Sequence, residues 1–290
     1  MLITSDEWWM ARTERSLSAR RSVDSELERE RQRILALLAK DHDLGLDLNI
    51  HMFDTLTSTN DKLAQLIAEE NAPSGTVVIA KTQTAGRGQR GRTWTSDLGG
   101  LYLSMAISPD LPAINVHQLT IGLVWGIADQ LRQQGIDVLI KWPNDLMLDH
   151  RKLGGILTQT RIFQGRIQQV IVGVGINYAN PVETPAINLA PSNDHQPNYA
   201  NFPIEMLISC TIRGIISGYK RCTSATIDSL LSDYLELLNA RGRSVIVNGK
   251  LGTVLGISPQ GELHIGFATA TEITETYLTP GTFTFGYEDL

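Results

Sequence analysis

The sequence predicts an α/β (α+β) main domain followed by a small all-β domain. Between residues 51 and 240, strand-like apolar runs are interspersed with segments whose apolar residues recur every three to four positions. From Arg241 onward, short strand-like segments are separated by Asn-Gly, Pro-Gln-Gly and Pro-Gly turns, a pattern typical of small barrels or sandwiches. We therefore expect three parts: a helical or partly mobile extension at 1–50, a main domain at 51–240 and a β domain at 241–290.

The periodic segments predict these elements in chain order. The predicted helices cover 24–40, a segment that begins at Ser58, 117–134, a segment that follows Pro203, and 227–238. The predicted strands of the main domain cover 76–80, 101–107, a run from 138 into a polar turn before 146, 146–148, 153–158 and 170–177. The predicted strands of the β domain cover 245–247, 252–257, 261–265 and 282–285.

Composition excludes several classes of protein. A net charge of −6 argues against nucleic acid as the main partner. No apolar run approaches the roughly 18 residues of a membrane span, and the residues from Met1 to Trp9 lack the apolar core of a signal peptide. Cys210 and Cys222 form neither a disulfide framework nor a metal-binding pattern. We expect a cytoplasmic protein that does not bind membranes.

The segment Gly86–Trp94 is the most informative part of the chain, with three glycines and three arginines between two predicted strands. Glycine lets the backbone approach a ligand, and arginine donates a fork of hydrogen bonds suited to carboxylate and phosphate oxygens. These properties favour a loop that closes over a small anion, although a solvated surface loop has the same composition. The spacing G-x-G-x-x-G is also typical of dinucleotide sites, but a strand rather than a helix follows, which argues against that interpretation.

Other polar residues lie where predicted strands or helices begin or end. Ser58 and Asp61 resemble a capping box, although a helix start with free N–H groups also suits an anion. Lys152 lies at the mouth of a predicted hairpin and precedes two glycines, which suggests that a ligand approaches the backbone there. Asp145 follows Pro143-Asn144, where an ordinary turn is the alternative interpretation.

In order and spacing, the motifs resemble those of the biotin–protein ligase family. They are Ser58-Thr59-Asn60, Gln83, the Gly86–Trp94 loop, Lys141–Asp145, Lys152–Leu157 and Gly173–Asn177. The resemblance spans about residues 52–285 and implies a mixed sheet with helices on one side, followed by an SH3-like barrel. It also implies an ATP-dependent ligase that first forms biotinyl-5′-AMP. The biotin then passes to a lysine of a biotin carboxyl carrier domain of a carboxylase.

The family's functional residues correspond to positions of this sequence. The resemblance implies that the catalytic residues are Lys152, Arg87 and Asp145. It implies that biotin contacts Ser58, Thr59, Asn60, Gln83, Arg87, Gly88, Gln89, Lys152 and Gly155. It implies that ATP and the adenylate contact Arg87, Arg90, Arg92, Trp94, Lys152 and Asn177. Magnesium is expected to arrive with the ATP phosphates.

Two departures from the family pattern affect these expectations. Many members carry arginine where this chain has Gln89, and others carry glutamine, so the resemblance leaves the retention of the adenylate open. Members that repress biotin-synthesis genes carry a DNA-binding domain, and residues 1–50 look too short for one, so we expect a ligase that binds no DNA.

The alternative functions are a biotin-sensing repressor and a lipoate-type ligase of the same fold. A homodimer is compatible with the family.

Overall fold

The computed structural model describes residues 23–40, 44–190, 199, 202–224, 226–268 and 273–283. Its helices are α1 (residues 23–38), α2 (Thr59–Glu70), α3 (Val116–Gln133), α4 (Ile204–Ser224) and α5 (Ile227–Leu237). The strands of the main domain are β1 (Asn49–Leu56), β2 (Thr76–Gln83), β3 (Leu101–Ile107), β4 (Leu111–Pro112), β5 (Leu139–Lys141), β6 (Asp145–Leu148), β7 (Arg151–Phe163) and β8 (Arg166–Ile176). Four more strands follow: β9 (Ser244–Val247), β10 (Lys250–Ile257), β11 (Leu263–Ala268) and β12 (Ile273–Leu278).

The main domain is built on a mixed sheet, as expected. Within the described residues the strand order is β1-β2-β3-β8-β7-β6-β5, and the short β4 pairs with β8. Strands β1 and β2 run parallel, whereas the other neighbours are antiparallel. Helix α2 connects β1 to β2. Because these two strands are parallel, the chain must return to the end of the sheet where β1 began, and α2 makes this crossover.

The two faces of this sheet are covered by different helices. Along β2 and β3, Val77, Ile79, Leu103 and Met105 face a large core that includes residues of α3, α4 and α5. The intervening residues, such as Val78 and Ala106, face a smaller core with Leu63 and Leu66 of α2. The expectation of helices on one side is therefore corrected, since α2 covers part of the opposite face. Strand alternation explains how one sheet serves both cores.

Helix α1 packs against the main domain. Ile34 and Leu38 are buried in the large core, and the Arg213 guanidinium donates to the Leu37 carbonyl oxygen at 2.7 Å. An ion pair of 2.7 Å joins Arg33 to Glu205 at the start of α4. Of the two interpretations of the N-terminal extension, a docked helix is therefore the one that residues 23–38 adopt. Residues 1–22 lie outside the described part of the chain.

The C-terminal β domain is present as an antiparallel sheet in the order β12-β11-β10-β9. Strands β9 to β11 match predicted strands, but β12 was missed because only half of its sequence, Ile-Thr-Glu-Thr-Tyr-Leu, is apolar and no regular alternation marks it. The strand predicted at 282–285 is not found at Thr282 and Phe283, which belong to a turn and an isolated bridge. Its other two residues lie outside the described chain.

A turn of the β domain contacts the main domain. The Trp142 indole donates to the Gly261 carbonyl oxygen at 3.0 Å, and the Gln118 amide donates to the Pro259 carbonyl oxygen. Gly261 has φ +83° and packs closely against His117 of α3. These contacts place the β domain beside the 142–145 turn. None of the helices in the described residues is both long and apolar enough to cross a membrane.

Candidate functional site

A cavity of about 490 Å³ opens on the face of the main sheet that α2 partly covers. Its walls come from the start of α2, the end of β2, the 86–94 loop, the turn that precedes β6, the start of β7 and the middle of β8. All the site residues expected from the sequence except Asn177 line it: Ser58, Thr59, Asn60, Gln83, Arg87, Gly88, Gln89, Arg90, Arg92, Trp94, Asp145, Lys152 and Gly155. Residues from distant parts of the sequence therefore meet in one place.

Glycines of two neighbouring strands form the floor of the cavity. On β8, Gly173 and Gly175 alternate with valines that face the large core. A Cβ at Gly173 would lie 2.2 Å from Asn60 Oδ1, and a Cβ at Gly175 would lie 2.6 Å from Trp94 Nε1. On β7, a Cβ at Gly155 would lie 2.9 Å from Asp145 Oδ1. Glycine is therefore required here because any side chain would collide with the walls of the cavity.

The start of α2 forms a buried polar wall. The Thr59 backbone N–H donates to Gln83 Oε1 at 2.8 Å, and the Thr59 hydroxyl donates to the same oxygen at 3.2 Å. The Ser104 hydroxyl lies 2.7 Å from the Thr59 hydroxyl and 2.5 Å from Asn60 Oδ1. Ser58 is the N-cap residue, but its side chain makes no capping hydrogen bond. The capping box predicted for Ser58 and Asp61 is therefore corrected, and the Ser58 hydroxyl lines the cavity instead.

The segment 86–94 folds back on itself as a small hairpin, which we call the flap. The Trp94 N–H donates to the Gly86 carbonyl at 2.9 Å, and the Gly88 N–H donates to the Arg92 carbonyl at 2.7 Å. At the tip, Arg90 has φ +57° and Gly91 has φ +73°. The loop is therefore an ordered structure with internal backbone bonds, and no helix N-terminus follows it, as expected from the sequence.

The three arginines of the flap have different surroundings. Arg87 Nη2 lies 2.9 Å from Asp61 Oδ1 on the first turn of α2. Arg90 lies against Gly281 of the β domain, where a Cβ would come within 3.0 Å of Arg90 Nη2. Arg92 is exposed at the rim. The flap therefore contacts α2 near its base and the β domain at its tip.

Lys152 and Asp145 form the charged centre of the cavity. Lys152 Nζ donates to Asp145 Oδ1 at 2.8 Å, and 28% of the lysine side chain remains exposed. The same ammonium lies 5.4 Å from the centroid of the Trp94 ring, within cation–π range. The Trp94 Nε1–H is buried with no acceptor among the described residues. A buried donor without a partner costs about 1–3 kcal/mol, a cost that functional sites often carry.

The turn between β5 and β6 places Asp145 in the cavity. Asn144 Nδ2 donates to the Ile156 carbonyl at 2.6 Å, and the Ile156 N–H donates to the Asn144 carbonyl at 3.0 Å. This reciprocal pair clamps the turn onto β7. The register then sets Asp145 opposite Gly155, three residues from Lys152 along β7.

Asn177 lies just past the end of β8 and does not line the cavity. Its Nδ2 donates to the Ile187 carbonyl at 3.2 Å, and its Oδ1 accepts a bond of 3.1 Å from Asn180. Its backbone N–H donates to the Leu153 carbonyl at 2.9 Å. These bonds anchor the chain after β8 next to the start of β7, and the contact of Asn177 with ATP and the adenylate stays a prediction.

The charge of the lining is strongly asymmetric. Arg87, Arg90, Arg92, Lys141 and Lys152 line the cavity, and among the described lining residues Asp145 is the only carboxylate. An excess of cations at a concave surface concentrates anionic ligands. The described residues contain no group of three or more His, Cys, Asp or Glu side chains arranged to hold a metal ion. This donor set suits an anion and does not build a protein-held metal site.

Sequence reasoning missed several residues of the site. Ser104 is a polar residue inside an otherwise apolar buried strand, a signal that could have revealed it. Asp61 was assigned to capping, although it pairs with Arg87. Phe283 lines the cavity from the β domain, and no local pattern in the sequence indicates that contact.

Comparison with known proteins finds similarity to one family in the central part of the chain. Residues 52–177 match the model of the Biotin/lipoate A/B protein ligase family. The chain is 42% identical over 139 residues to the "Bifunctional ligase/repressor BirA" of Bacillus subtilis, an alignment that covers 46% of this chain and 41% of that protein. It is 33% identical over 113 residues to the "Biotin--[acetyl-CoA-carboxylase] ligase" of Paracoccus denitrificans, covering 38% of this chain and 47% of the relative. The alignments thus span less than half of these relatives.

The fold resembles that of solved structures over a longer range. A biotin protein ligase from Aquifex aeolicus, determined in complex with biotin and ATP, has a TM-score of 0.61 and 24% identity. The match covers 79% of this chain and 95% of the Aquifex chain. At this identity the likeness supports the fold alone.

Proposed function

We propose that the chain is an ATP-dependent biotin–protein ligase, because residues 52–177 match the model of the Biotin/lipoate A/B protein ligase family. It activates biotin as biotinyl-5′-AMP and transfers the biotin to a lysine of a biotin carboxyl carrier domain. The observation that carries this proposal is the cavity, in which the flap arginines and Lys152 surround a glycine floor. The relative from Paracoccus denitrificans, which is named a biotin ligase, supports the choice of biotin.

In the first step, a carboxylate oxygen of biotin attacks the α-phosphorus of ATP and pyrophosphate leaves. Both reactants are anions, so their approach requires cations between them. Arg87 and Lys152 line the cavity, where they can neutralise the carboxylate and the α-phosphate, while Arg90 and Arg92 line it from the flap and would contact the other phosphates. Electrostatic stabilisation of this kind is often the largest contribution to catalysis.

The rest of the cavity suits the two ligands. Ser58, Thr59, Asn60 and Gln83 present polar groups at the α2 end, where the ureido head of biotin would bind. Gly155 allows the ligand to lie close to the sheet. Gly88 and Gln89 lie on the flap above it, and the Trp94 ring offers a face for the adenylate. The ordered flap would shield the mixed anhydride from water.

In the second step, the ε-amine of the carrier lysine attacks the carbonyl carbon of the mixed anhydride and AMP leaves. The attacking nitrogen loses a proton, and Asp145 is the carboxylate in the cavity that is placed to orient the amine or accept that proton. Asp145 accepts a hydrogen bond of 2.8 Å from Lys152. The same pair would therefore contact the biotin carboxylate in the first step and the carrier amine in the second step.

Magnesium enters this proposal as a companion of ATP. The described residues supply Asp145 alone as a carboxylate in the cavity, and that group pairs with Lys152. Mg²⁺ commonly binds through substrate phosphates and water with few protein ligands. The ion would lower the negative charge of the phosphates that the flap arginines contact.

A labelling assay tests the proposal. The protein is incubated with ATP, magnesium, biotin and a purified carrier domain, and the biotinylated lysine is identified by mass spectrometry. A parallel reaction contains lipoate or octanoate instead of biotin. Labelling with biotin alone supports the proposal, whereas labelling with lipoate alone would assign the chain to the lipoate branch of the family.

We further propose that the ligase does not act as a repressor, although relatives such as that of Bacillus subtilis are named bifunctional. Helix α1 buries Ile34 and Leu38 against the main domain, so this face is unavailable to a nucleic acid. An electrophoretic mobility shift with the promoter region of biotin-synthesis genes tests this point. Sequence-specific binding that persists at physiological salt would contradict it.

A further inference from the structure

The parallel pairing of β1 and β2 brings the flap next to the start of α2. The register runs from Asn49↔Thr76 to Leu56↔Gln83 and continues beyond the strands, where the Ala85 N–H donates to the Thr57 carbonyl at 2.8 Å. Two residues later the chain reaches Arg87, while the paired segment has entered the first turn of α2. The topology thus sets Arg87 beside that turn.

An aspartate occupies the position on α2 that faces Arg87. Asp61 Oδ1 lies 2.9 Å from Arg87 Nη2, with 39% of the aspartate side chain and 52% of the arginine side chain exposed. Arg87 lines the cavity, whereas Asp61 lies outside the lining. Asp61 therefore contacts the guanidinium without itself forming part of the cavity wall.

This geometry leaves Arg87 able to bind a ligand at the same time. A guanidinium carries five N–H donors in a planar fork, and Asp61 Oδ1 lies against the nitrogen Nη2. A single carboxylate does not use all five donors, so Arg87 can contact Asp61 and a ligand in the cavity at the same time. A role of Asp61 in helix capping alone does not account for the pair, because an acid in the first turn favours the helix wherever its carboxylate points.

We propose that Asp61 is a positioning residue that holds Arg87, and with it the first arm of the flap, over the cavity. Asp61 does not contact biotin or ATP. It restricts the rotamers of Arg87 and so reduces the entropy that a ligand must remove on binding. The ligand part of this proposal rests on the proposed function, whereas the ordering of the flap does not.

Hydrogen exchange on the protein alone tests the ordering of the flap. The variant Asp61→Asn removes the charge and keeps the shape, and Asp61→Glu restores the charge. The matched control is Asp110→Asn, which weakens another exposed pair, Asp110–Arg166 at 2.6 Å, outside the cavity lining. We expect faster exchange of the Gly88 and Trp94 amides in Asp61→Asn only, with partial recovery in Asp61→Glu.

Steady-state kinetics and adenylate release test the consequence for the ligand. Exposed ion pairs have small effects, so we expect the KM for biotin and the release rate of biotinyl-adenylate to rise by up to about fivefold in Asp61→Asn. The expected kcat for adenylate formation stays within about twofold, because Asp61 does not touch the reacting atoms. The difference from the unmodified protein should shrink at high salt, where the pair is screened.

A double-mutant comparison separates positioning from a general effect on α2. In an Arg87→Ala background, Asp61→Asn should cause no further change in flap exchange or in biotin affinity. Equal effects in both backgrounds, or unchanged exchange in Asp61→Asn, would overturn the proposal. If the unmodified protein binds no biotin while the exchange results hold, the proposed function fails and the positioning of the flap stands.

Discussion

The ammonium group of Lys152 lies 2.8 Å from the Oδ1 of Asp145, on adjacent strands joined by a charged turn. This pair lies beside the Trp94 ring and above the Gly155 backbone. The other charged residues of the lining are all cations. The Lys152–Asp145 pair is therefore the place in the cavity where a nucleophile, a carboxylate or a phosphate could contact a positive and a negative group together. The proposed chemistry therefore depends most directly on these two residues.

Replacement of Lys152 by alanine should abolish most adenylate formation. The change removes the cation proposed to stabilise charge on the α-phosphate, so we expect a loss of about 10²–10³-fold in kcat, similar to the loss of one preorganised electrostatic donor. Biotin-dependent ATP–pyrophosphate exchange measures this step. Lys250→Ala, at the exposed start of β10, serves as the control and should keep full activity. Near-normal exchange in Lys152→Ala would remove this residue from the mechanism.

Replacement of Asp145 by asparagine should affect transfer more than activation. The amide keeps the shape of the side chain but accepts no proton, so we expect transfer to the carrier lysine to slow by about 10²-fold or more. A single-turnover experiment that starts from preformed biotinyl-adenylate isolates this step from ATP chemistry. If activation falls as much as transfer, Asp145 acts mainly through Lys152 and does not accept the proton.

Replacement of Gly173 by alanine should damage the biotin end of the cavity. The new Cβ would come within 2.2 Å of Asn60 Oδ1, so the start of α2 must shift, at a cost of about 1–3 kcal/mol. We expect weaker biotin binding by calorimetry and a lower melting temperature. The control Gly256→Ala places a Cβ at ordinary contact distances of 3.6 Å or more. Unchanged biotin affinity in Gly173→Ala would place the biotin elsewhere.

The stability of the protein should fall as the pH drops below about 6.5, partly through His51 on strand β1. Burial is the main cause that lowers the pKa of His51, and nearby Lys62 adds to it, although Glu70 opposes it. The folded state therefore binds fewer protons at this side chain than the unfolded state, whose histidine pKa is near 6.5. The contribution is fully present above that pH and is lost as the pH falls through the lowered pKa.

Urea denaturation of the unmodified protein and of His51→Gln at several pH values measures this effect. Glutamine has no proton to gain in this range, so the variant should lose less stability between pH 7 and pH 5. Parallel curves for the two proteins would show that His51 does not contribute to the acid sensitivity.

Much of the fold followed from the sequence because it depends on local patterns. The alternation of Leu101, Leu103 and Met105 predicted β3 with its observed bounds, and the periodicity that ends at Gly135 predicted α3 to within one residue. Strand β12 was not predicted because its three apolar residues do not alternate regularly, and its conformation is fixed by pairing with β11. The placement of α2 on the opposite face also depends on pairing, here of β1 with β2.

For the candidate site, the sequence alone determined which chemical groups are present: the glycines and arginines of the flap, Lys152, and the polar start of α2. Only the tertiary structure decided how they combine. Asp61 pairs with Arg87 and does not take part in a capping box. The Asn177 amide donates to a carbonyl of a neighbouring loop, and Phe283 of the β domain lines the cavity. Local patterns reveal residue types and periods, whereas partners distant in sequence are set by strand register and domain packing, which no local pattern contains.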